Sequence, residues 1–181
     1  FYLGFIYHCS KYVELDINKA IYYYSLAANQ NDVRSQFNLG LIYHEGKYIE
    51  RDNNKAIYYY TLAANQNHSH AQFILGLFYE EGKYVKRDVC KAIHYYSLSA
   101  NQNHPLSSSN LGLIYYEGKY IQKNINKAIY YYSIAANQNV STAQFFFGLI
   151  HFKGKHVQRD INKAIHYFTL AANQNHPEAQ Y

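Results

Sequence analysis

Apolar and small residues recur along this chain with a period of 36, and each period holds two stretches of helical spacing. In the first stretch Ala71, Leu75 and Tyr79 fall four residues apart, so they share one helix face. Gly82 then suits a left-handed helix end. The pattern predicts a short helix, helix A, in every period. One glycine inside helix A marks each period: Gly4, Gly40, Gly76, Gly112 and Gly148.

The second stretch predicts another helix, helix B. Its apolar stripe is clearest at Ala56, Tyr60, Ala63 and Ala64, with Ile57 and Tyr59 widening it. An Asp or Asn, which can cap free N–H groups, precedes each copy: Asp16, Asp52, Asp88, Asn124 and Asp160. An asparagine, suited to a left-handed stop, follows each copy: Asn31, Asn67, Asn103, Asn139 and Asn175.

The glycine inside helix A predicts close helix packing. A glycine such as Gly76 costs a helix about 1 kcal/mol relative to alanine. Its return in every period therefore favours a site where a Cβ atom would clash. One helix pair cannot bury its apolar faces alone, so stacked pairs must form a continuous core.

Composition excludes several classes of protein. Hydrophobic residues make up 49% and charged residues 16%, which excludes a disordered chain. Two cysteines in 181 residues exclude a disulfide scaffold, and their scarcity favours a reducing compartment such as the cytoplasm. No apolar run approaches the roughly 18 residues that cross a bilayer. The net charge of +5 is a mild basic excess.

The ends of the chain fall inside the repeat. It begins at Phe1 without a methionine, and residues 1–4 start in the middle of a period. A further period opens at His176 and is not finished. We therefore expect residues 1–181 to be one array of about five repeats, truncated at both ends and part of a longer chain.

The two stretches resemble the Sel1-like repeat (SLR), a relative of the tetratricopeptide repeat. The resemblance rests on Leu-Gly-x-x-Tyr-x-x-Gly at 75–82, Asp88, Lys-Ala at 91–92, the tyrosine pair at 95–96 and Ala-Ala at 63–64, and it covers the whole chain. A second glycine usual in the A–B loop is replaced by Tyr48, Tyr84, Tyr120 and His156. Cys9 and Cys90 lie at different phases of the repeat, unlike the cysteine-rich subgroup of the family.

The resemblance implies an all-α, right-handed α-α superhelix, or solenoid, of 36-residue helix-turn-helix repeats. It also implies a non-catalytic scaffold or adaptor that presents a concave face to another protein. Some eukaryotic members carry a protein kinase domain, so one alternative is the repeat arm of a larger signalling enzyme. Other members serve at the endoplasmic reticulum, which leaves that location open beside the cytoplasm.

By analogy with tetratricopeptide geometry, the partner-binding positions flank the Leu-Gly pair of helix A. Two of these series vary between otherwise near-identical repeats, which is typical of a recognition surface, although relaxed drift produces the same variation. Toward the C-terminal end the surface becomes aromatic and basic, as an acidic or amphipathic peptide with an apolar anchor would require. The predicted positions are Phe37, Asn38, His44, Phe73, Ile74, Glu80, Asn110, Tyr116, Phe145, Phe146 and Phe152.

Catalytic, metal and cofactor sites are not expected. Histidines stand at repeat positions that hold other residue types in other repeats, as His94 does where an earlier repeat has Tyr58. A metal ligand at such a position would therefore be missing from those repeats. His68 and His70 lack a Cys or acidic partner at metal spacing. No nucleophile elbow or phosphate-binding glycine loop occurs. A small-molecule ligand is not expected either.

A second alternative is an RNA-binding helical repeat, because helical repeats can bind one base per repeat and this chain is basic and aromatic. Several glutamates near the predicted groove, including Glu45, Glu80 and Glu117, would repel phosphate. We therefore expect a protein or peptide partner rather than a nucleic acid.

Overall fold

The computed structural model describes residues 1–9 and 13–180, and within these residues all regular structure is helical. Ten α-helices and one 3-10 turn make up this part of the chain, which confirms the predicted all-α class and the 36-residue repeat. They are α1 (Tyr2–Cys9), α2 (Ile17–Ala28), α3 (Val33–Glu45), α4 (Asn53–Asn65), α5 (Ser69–Glu81), α6 (Val89–Ala100), α7 (Pro105–Glu117), α8 (Ile125–Asn137), α9 (Ser141–Lys153), α10 (Ile161–Asn173) and the 3-10 turn Pro177–Ala179.

The helices form two compact units. Unit 1 spans Phe1–Asp88 and contains α1 to α5, and unit 2 spans Val89–Tyr181 and contains α6 to α10. Odd-numbered helices correspond to helix A and even-numbered helices to helix B. Within each unit every helix packs against the next one along the chain, and α7 also contacts α9.

Polar side chains begin helix B as predicted. In α4 the Asp52 carboxylate accepts a hydrogen bond from the Lys55 amide at 3.0 Å. This bond satisfies one of the N–H groups that a helix leaves free at its first turn. The same bond begins three other copies: at Asp16, Asn124 and Asp160.

Left-handed residues end both helices of the repeat, which confirms a second prediction. The glycines after helix A have φ between 61° and 70°, and the asparagines after helix B have φ between 60° and 64°. After α4, the Asn67 and His68 amides donate to the carbonyls of Ala64 and Ala63, both at 3.0 Å. These bonds occupy carbonyls that the helix would otherwise leave unpaired.

The glycine inside helix A lies against the ring of a tyrosine in helix B. A Cβ atom added to Gly40 would stand 2.6 Å from the Tyr60 ring, and one added to Gly112 would stand 2.6 Å from the Tyr132 ring. Gly148 makes the same approach to Phe168, where the distance would be 3.0 Å. The predicted close packing is confirmed at these positions, and its partner is an aromatic ring.

The predicted stripe of helix B forms the core. Ala56, Tyr60 and Ala63 have no exposed surface, and Ala64 is 3% exposed. Ala71 and Leu75 of helix A are buried beside them, while Tyr79 is half-buried.

Helix A also buries a glutamine that the hydrophobic pattern did not predict. Gln36 and Gln72 donate to the carbonyls of Ala28 and Ala64, at 3.3 and 3.1 Å, and Gln144 donates to Ala136 at 3.3 Å. The chain therefore holds a polar group in its core by pairing it with the end of the preceding helix.

Among the described helices, none combines the length and the hydropathy that crossing a bilayer requires.

Candidate partner-binding surface

In unit 1 the predicted partner-binding residues are half-buried between successive helices. The Phe37 ring stacks on His68 with centroids 4.3 Å apart. The His44 ring lies 5.0 Å from Phe78 and 5.4 Å from Tyr84. These side chains contribute to packing between repeats and show only part of their surface. The other predicted positions in this unit are also half-buried: Asn38, Phe73, Ile74 and Glu80.

In unit 2 the predicted aromatic residues divide between core and surface. Phe145 is only 9% exposed, and its ring stacks on His176 at 4.7 Å. It therefore lies in the core and not on the open groove that the sequence suggested, because the next repeat covers it. Phe152 is 47% exposed, and the Arg159 guanidinium lies 5.6 Å from its ring. Of these two phenylalanines, only Phe152 has enough exposed surface to contact a partner.

Two further predicted residues of unit 2 are brought together. The Tyr116 and Phe146 rings lie 5.5 Å apart, and Phe146 stacks on the buried Tyr132 at 5.3 Å with the ring planes 8° apart. Asn110 donates a hydrogen bond to the Tyr96 hydroxyl at 3.0 Å, so its amide is used within the unit. Tyr116 therefore stands on an aromatic base where two successive repeats meet.

A pocket of about 210 Å³ opens beside Tyr116. It lies where the loop after α7 meets the end of α9 and the loop after it. Its floor is apolar, since Ile150 is 4% exposed, and its rim carries three amino groups. We call it the lysine pocket. Its lining residues are Tyr116, Lys123, Ile125, Ile150, Lys153, Lys155 and His156.

Positive charge dominates the lysine pocket. The Lys123 amino group lies 4.9 Å from the centre of the Tyr116 ring, and none of the described residues that line the pocket is acidic. Unit 2 as a whole has eight Lys or Arg against three Asp or Glu, whereas unit 1 has nine of each. The net charge of +5 therefore belongs entirely to unit 2.

The corresponding place in unit 1 is filled by aromatic rings. Phe78, which stands at the position of Ile150, is 4% exposed and packs 4.9 Å from Tyr84, the counterpart of His156. Burial lowers the pKa of His44, the counterpart of Tyr116, with Arg51 nearby acting in the same direction, which favours the neutral ring. Glu81 stands where unit 2 has Lys153.

The hollow near these rings in unit 1 is broader and of mixed charge. It has about 760 Å³, and Glu50 and Asp52 line it together with Arg51, Lys55 and Lys83. Its acidic groups balance part of the basic charge. An anion would therefore find a weaker field here than in the lysine pocket.

Of the residues that line the lysine pocket, the sequence predicted Tyr116 by number and, toward the C-terminal end, a basic surface to which Lys153 belongs; Lys123, Lys155 and His156 were not predicted. Those three lie in A–B loops, which were assigned to the repeating frame. The signal was nevertheless present in the repeat alignment. Lys153 replaces a glutamate found at the same place in the three preceding repeats, and His156 replaces a tyrosine.

A buried serine–histidine group in unit 2 resembles part of a nucleophilic site. The Ser107 hydroxyl lies 2.8 Å from the Ser99 hydroxyl and 3.2 Å from His104 Nδ1. Ser99 and Ser107 have no exposed surface, so a substrate could not reach them. We interpret the group as a polar contact inside the core. Among residues 1–9 and 13–180, no three His, Cys, Asp or Glu side chains lie close enough to hold a metal.

Comparison with known proteins places this arrangement in a family. The Sel1 repeat model matches five consecutive segments: 1–32, 33–68, 69–104, 105–140 and 141–176. A comparison with curated protein sequences gave no match at a significant level.

Solved structures agree with the family model. A protective antigen of uropathogenic Escherichia coli that displays an SLR fold is 29% identical, with a TM-score of 0.93 over 99% of this chain and 38% of the antigen. This chain thus spans well under half of the antigen. A Sel1 repeat protein from Oxalobacter formigenes is 31% identical, with a TM-score of 0.86 over 98% of this chain and 73% of that protein.

Cysteine-rich protein B of Helicobacter pylori is 32% identical over 72% of this chain and 94% of its own, with a TM-score of 0.55. Cys9 and Cys90 of the present chain are free and exposed. The five matched segments, the glycine–tyrosine contact inside the repeat and the likeness to the SLR fold lead to one conclusion: this chain belongs to the Sel1-repeat family, and its fold is the family's all-α solenoid of 36-residue repeats.

Proposed function

We propose that this chain is a non-catalytic scaffold, and that unit 2 binds an acidic segment of a partner protein that carries an apolar side chain. Sel1-repeat proteins usually act as protein-interaction scaffolds. The lysine pocket is the main observation in support of this proposal. It combines an apolar floor with three amino groups, and it lies in unit 2, which holds all of the net charge.

The repeat frame supports this proposal because it leaves few positions free to vary. Gly112 and Tyr132 are held together by close contact, and Asn124 and Asn139 are held by their capping roles. Substitution at these places would damage the helix pair itself. Positions outside this frame are free to vary, and two of them, Tyr116 and Lys153 near the end of helix A, line the lysine pocket.

Phe152 extends the proposed surface. It precedes Lys153 on α9, is 47% exposed, and has Arg159 over its ring. Exposed aromatic side chains flanked by cations are typical anchors for a partner with apolar and acidic groups. The remaining predicted positions, such as Asn38 and Ile74, stay predictions for contacts made by unit 1.

A fluorescence-anisotropy titration tests the proposal. The probe is a labelled 15-residue peptide that is rich in Glu and Asp and has Leu-Phe at its centre. A peptide with Lys in place of every acid is the charge control. We expect the acidic peptide to bind and the basic one not to. Phe152→Ser should weaken binding about fivefold or more, which is the effect of removing an exposed anchor.

The matched control is Tyr22→Ser. Tyr22 is 59% exposed on helix B of unit 1, so the change removes a similar amount of exposed ring without touching unit 2. Phe146 is a poorer choice, because its ring stacks on the core residue Tyr132. Equal binding of the two peptides, or equal losses for Phe152→Ser and Tyr22→Ser, would refute the proposal.

An RNA partner is the competing use of a basic, aromatic surface. A labelled 12-nucleotide uridine strand under the same conditions separates the two. RNA binding that falls steeply with salt, together with no binding of the acidic peptide, would replace the protein partner with a nucleic acid. The role of a repeat arm in a larger enzyme concerns other parts of a parent protein and does not alter this test.

A further inference from the structure

The lysine pocket has more positive charge than one carboxylate can balance. Lys123, Lys153 and Lys155 all line it, and His156 adds a fourth nitrogen-bearing side chain. A single Glu or Asp side chain would bring one negative charge to three amino groups. A phosphate brings a charge of about −1.5 to −2 and three acceptor oxygens. The count of donors and charges therefore favours a phosphate group.

The floor of the pocket indicates what carries that phosphate. Ile125 and Ile150 provide branched apolar surface, and the Tyr116 ring forms one wall. A flat aromatic ring would cover this surface. Phosphoserine, by contrast, has no apolar body that could reach the isoleucines while its phosphate stays at the rim.

We propose that the lysine pocket binds a phosphotyrosine side chain of the partner protein. The phenyl ring lies on Ile125 and Ile150, and the phosphate accepts hydrogen bonds from the three lysines. This inference rests on the proposed function, since it assigns one residue of the acidic segment that unit 2 binds. No chemical step is involved, and the phosphate ester stays intact.

Unit 1 provides an internal comparison for the assignment. Its counterpart positions hold Phe78, Tyr84 and Glu81, so rings occupy the space and a carboxylate replaces one lysine. Compared with these positions of unit 1, Ile150 and His156 leave the space open, and Lys153 makes it more cationic. Lys153 and His156 differ from all three preceding repeats, whereas isoleucine also stands at positions 42 and 114. Changes that act together in this way favour one anionic ligand.

The test uses the intact chain and four versions of one acidic 15-residue peptide. At the central position the peptides carry phosphotyrosine, tyrosine, phosphoserine or glutamate. We expect the phosphotyrosine peptide to bind about tenfold or more tightly than the other three, because one charged hydrogen-bonding group is worth about a factor of ten in affinity. Phenyl phosphate should compete at lower concentration than inorganic phosphate, because only the former covers the floor.

Three variants assign the effect to the pocket. Lys153→Glu recreates the charge of unit 1 and should abolish the preference for phosphotyrosine. His156→Tyr recreates the closing ring of unit 1 at an exposed position and should reduce the preference. The control is Lys119→Glu, which reverses a charge on an exposed loop lysine of the same unit that does not line the pocket. This variant should keep the preference, and circular dichroism verifies that all three variants remain folded.

Each contrary outcome has a defined meaning. If the tyrosine and phosphotyrosine peptides bind equally, the phosphotyrosine assignment is overturned and the scaffold proposal stands. If phosphoserine matches phosphotyrosine, or inorganic phosphate competes as well as phenyl phosphate, the aromatic part is overturned. Equal losses for Lys153→Glu and Lys119→Glu would show general charge attraction and overturn the site. Binding of the uridine strand without any peptide would overturn both proposals.

Discussion

Unit 1 and unit 2 are built from the same helix pair, yet they differ by five charges at neutral pH. Both place a helix-A glycine against a helix-B tyrosine, at Gly40 with Tyr60 and at Gly112 with Tyr132. They differ at the end of helix A and in the loop that follows. Close packing therefore keeps the glycine and tyrosine positions constant, while positions one turn away are free to acquire a binding surface.

The two units share a polar contact between the start of helix A and the residue after helix B, and one repeat of unit 2 lacks it. In unit 1 the Gln66 amide donates to the Gln36 side chain at 2.8 Å, and in unit 2 the Gln174 amide donates to Gln144 at 2.8 Å. Ser108 interrupts this series at the start of the fourth repeat. The hydroxyl of Ser108 and the Oε1 atom of Gln138 are both buried without a hydrogen-bond partner among the described residues.

The largest expected effect concerns the buried tyrosine of helix B, which should contribute equally to the stability of unit 1 and unit 2. Tyr60→Ala in unit 1 and Tyr132→Ala in unit 2 should each lower the free energy of unfolding by about 3–5 kcal/mol, because both rings are fully buried and each change leaves a cavity. Urea denaturation followed by circular dichroism measures the loss, with amide hydrogen exchange locating it in each unit.

The controls are Tyr58→Ala and Tyr130→Ala, whose rings are 58% and 60% exposed. These should change the free energy of unfolding by no more than about 0.5 kcal/mol. A large loss for only one of the two buried tyrosines would show that the units do not share one frame.

The next effect concerns the interrupted glutamine series. Ser108→Gln should stabilise α7 by about 0.5–1.5 kcal/mol, because the new amide can reach the carbonyl at the end of α6 and offer an acceptor to Gln138. The reverse change, Gln144→Ser in the same unit, should destabilise α9 by about 1–3 kcal/mol, since it leaves buried polar groups unpaired. Hydrogen exchange of the first turns of α7 and α9 gives both values. If Ser108→Gln lowers the free energy of unfolding, this account of the glutamine contact is wrong.

A pH effect should distinguish the first turn of α5 from that of α9. Neutral His68 accepts the Ala71 amide hydrogen bond at Nδ1, at 3.2 Å. Burial first, and nearby His70 second, lower the pKa of His68 from its usual 6.5. The folded state therefore disfavours protonation, so the contribution of this cap is complete above pH 6.5. It is lost as the pH falls through the lowered pKa.

Protection factors for the Ala71 amide, measured between about pH 7.5 and pH 5, give this effect directly. Val140 occupies the same place before α9 and makes no side-chain cap, so the first turn of α9 should lack this titration. His68→Val should remove the pH dependence from α5. Persistence of the dependence in that variant would assign it to another histidine, such as His44.

The smallest expected effect is the removal of two buried hydroxyl groups. The hydroxyls of Tyr60 and Tyr132 are buried without a hydrogen-bond partner in the described part of the chain, and burial raises the pKa of both. Tyr60→Phe and Tyr132→Phe should therefore be neutral or stabilising by up to about 1 kcal/mol. Phe168 already occupies this position in the last repeat. A clear loss of thermal stability would indicate a partner for the hydroxyl, such as a bound water.

The residues alone determined the repeat, its two helices, the capping positions and the close glycine contact. These follow from local rules, namely the spacing of apolar residues, the φ angles that Gly and Asn tolerate, and the clash that a Cβ atom would cause. Because the sequence repeats every 36 residues, each cap, left-handed stop and apolar stripe occurs several times. A weak pattern in one repeat could therefore be compared with the same positions in the others.

Which side chains remain exposed depends on tertiary packing. Phe145 and Phe152 have the same residue type and lie on the same helix, yet the next repeat covers the first and leaves the second exposed. The lysine pocket joins residues from three helices and from the A–B loops of two successive repeats, with Tyr116 and His156 forty positions apart. Sequence spacing within one helix cannot predict such contacts, because they depend on how one repeat packs on the next.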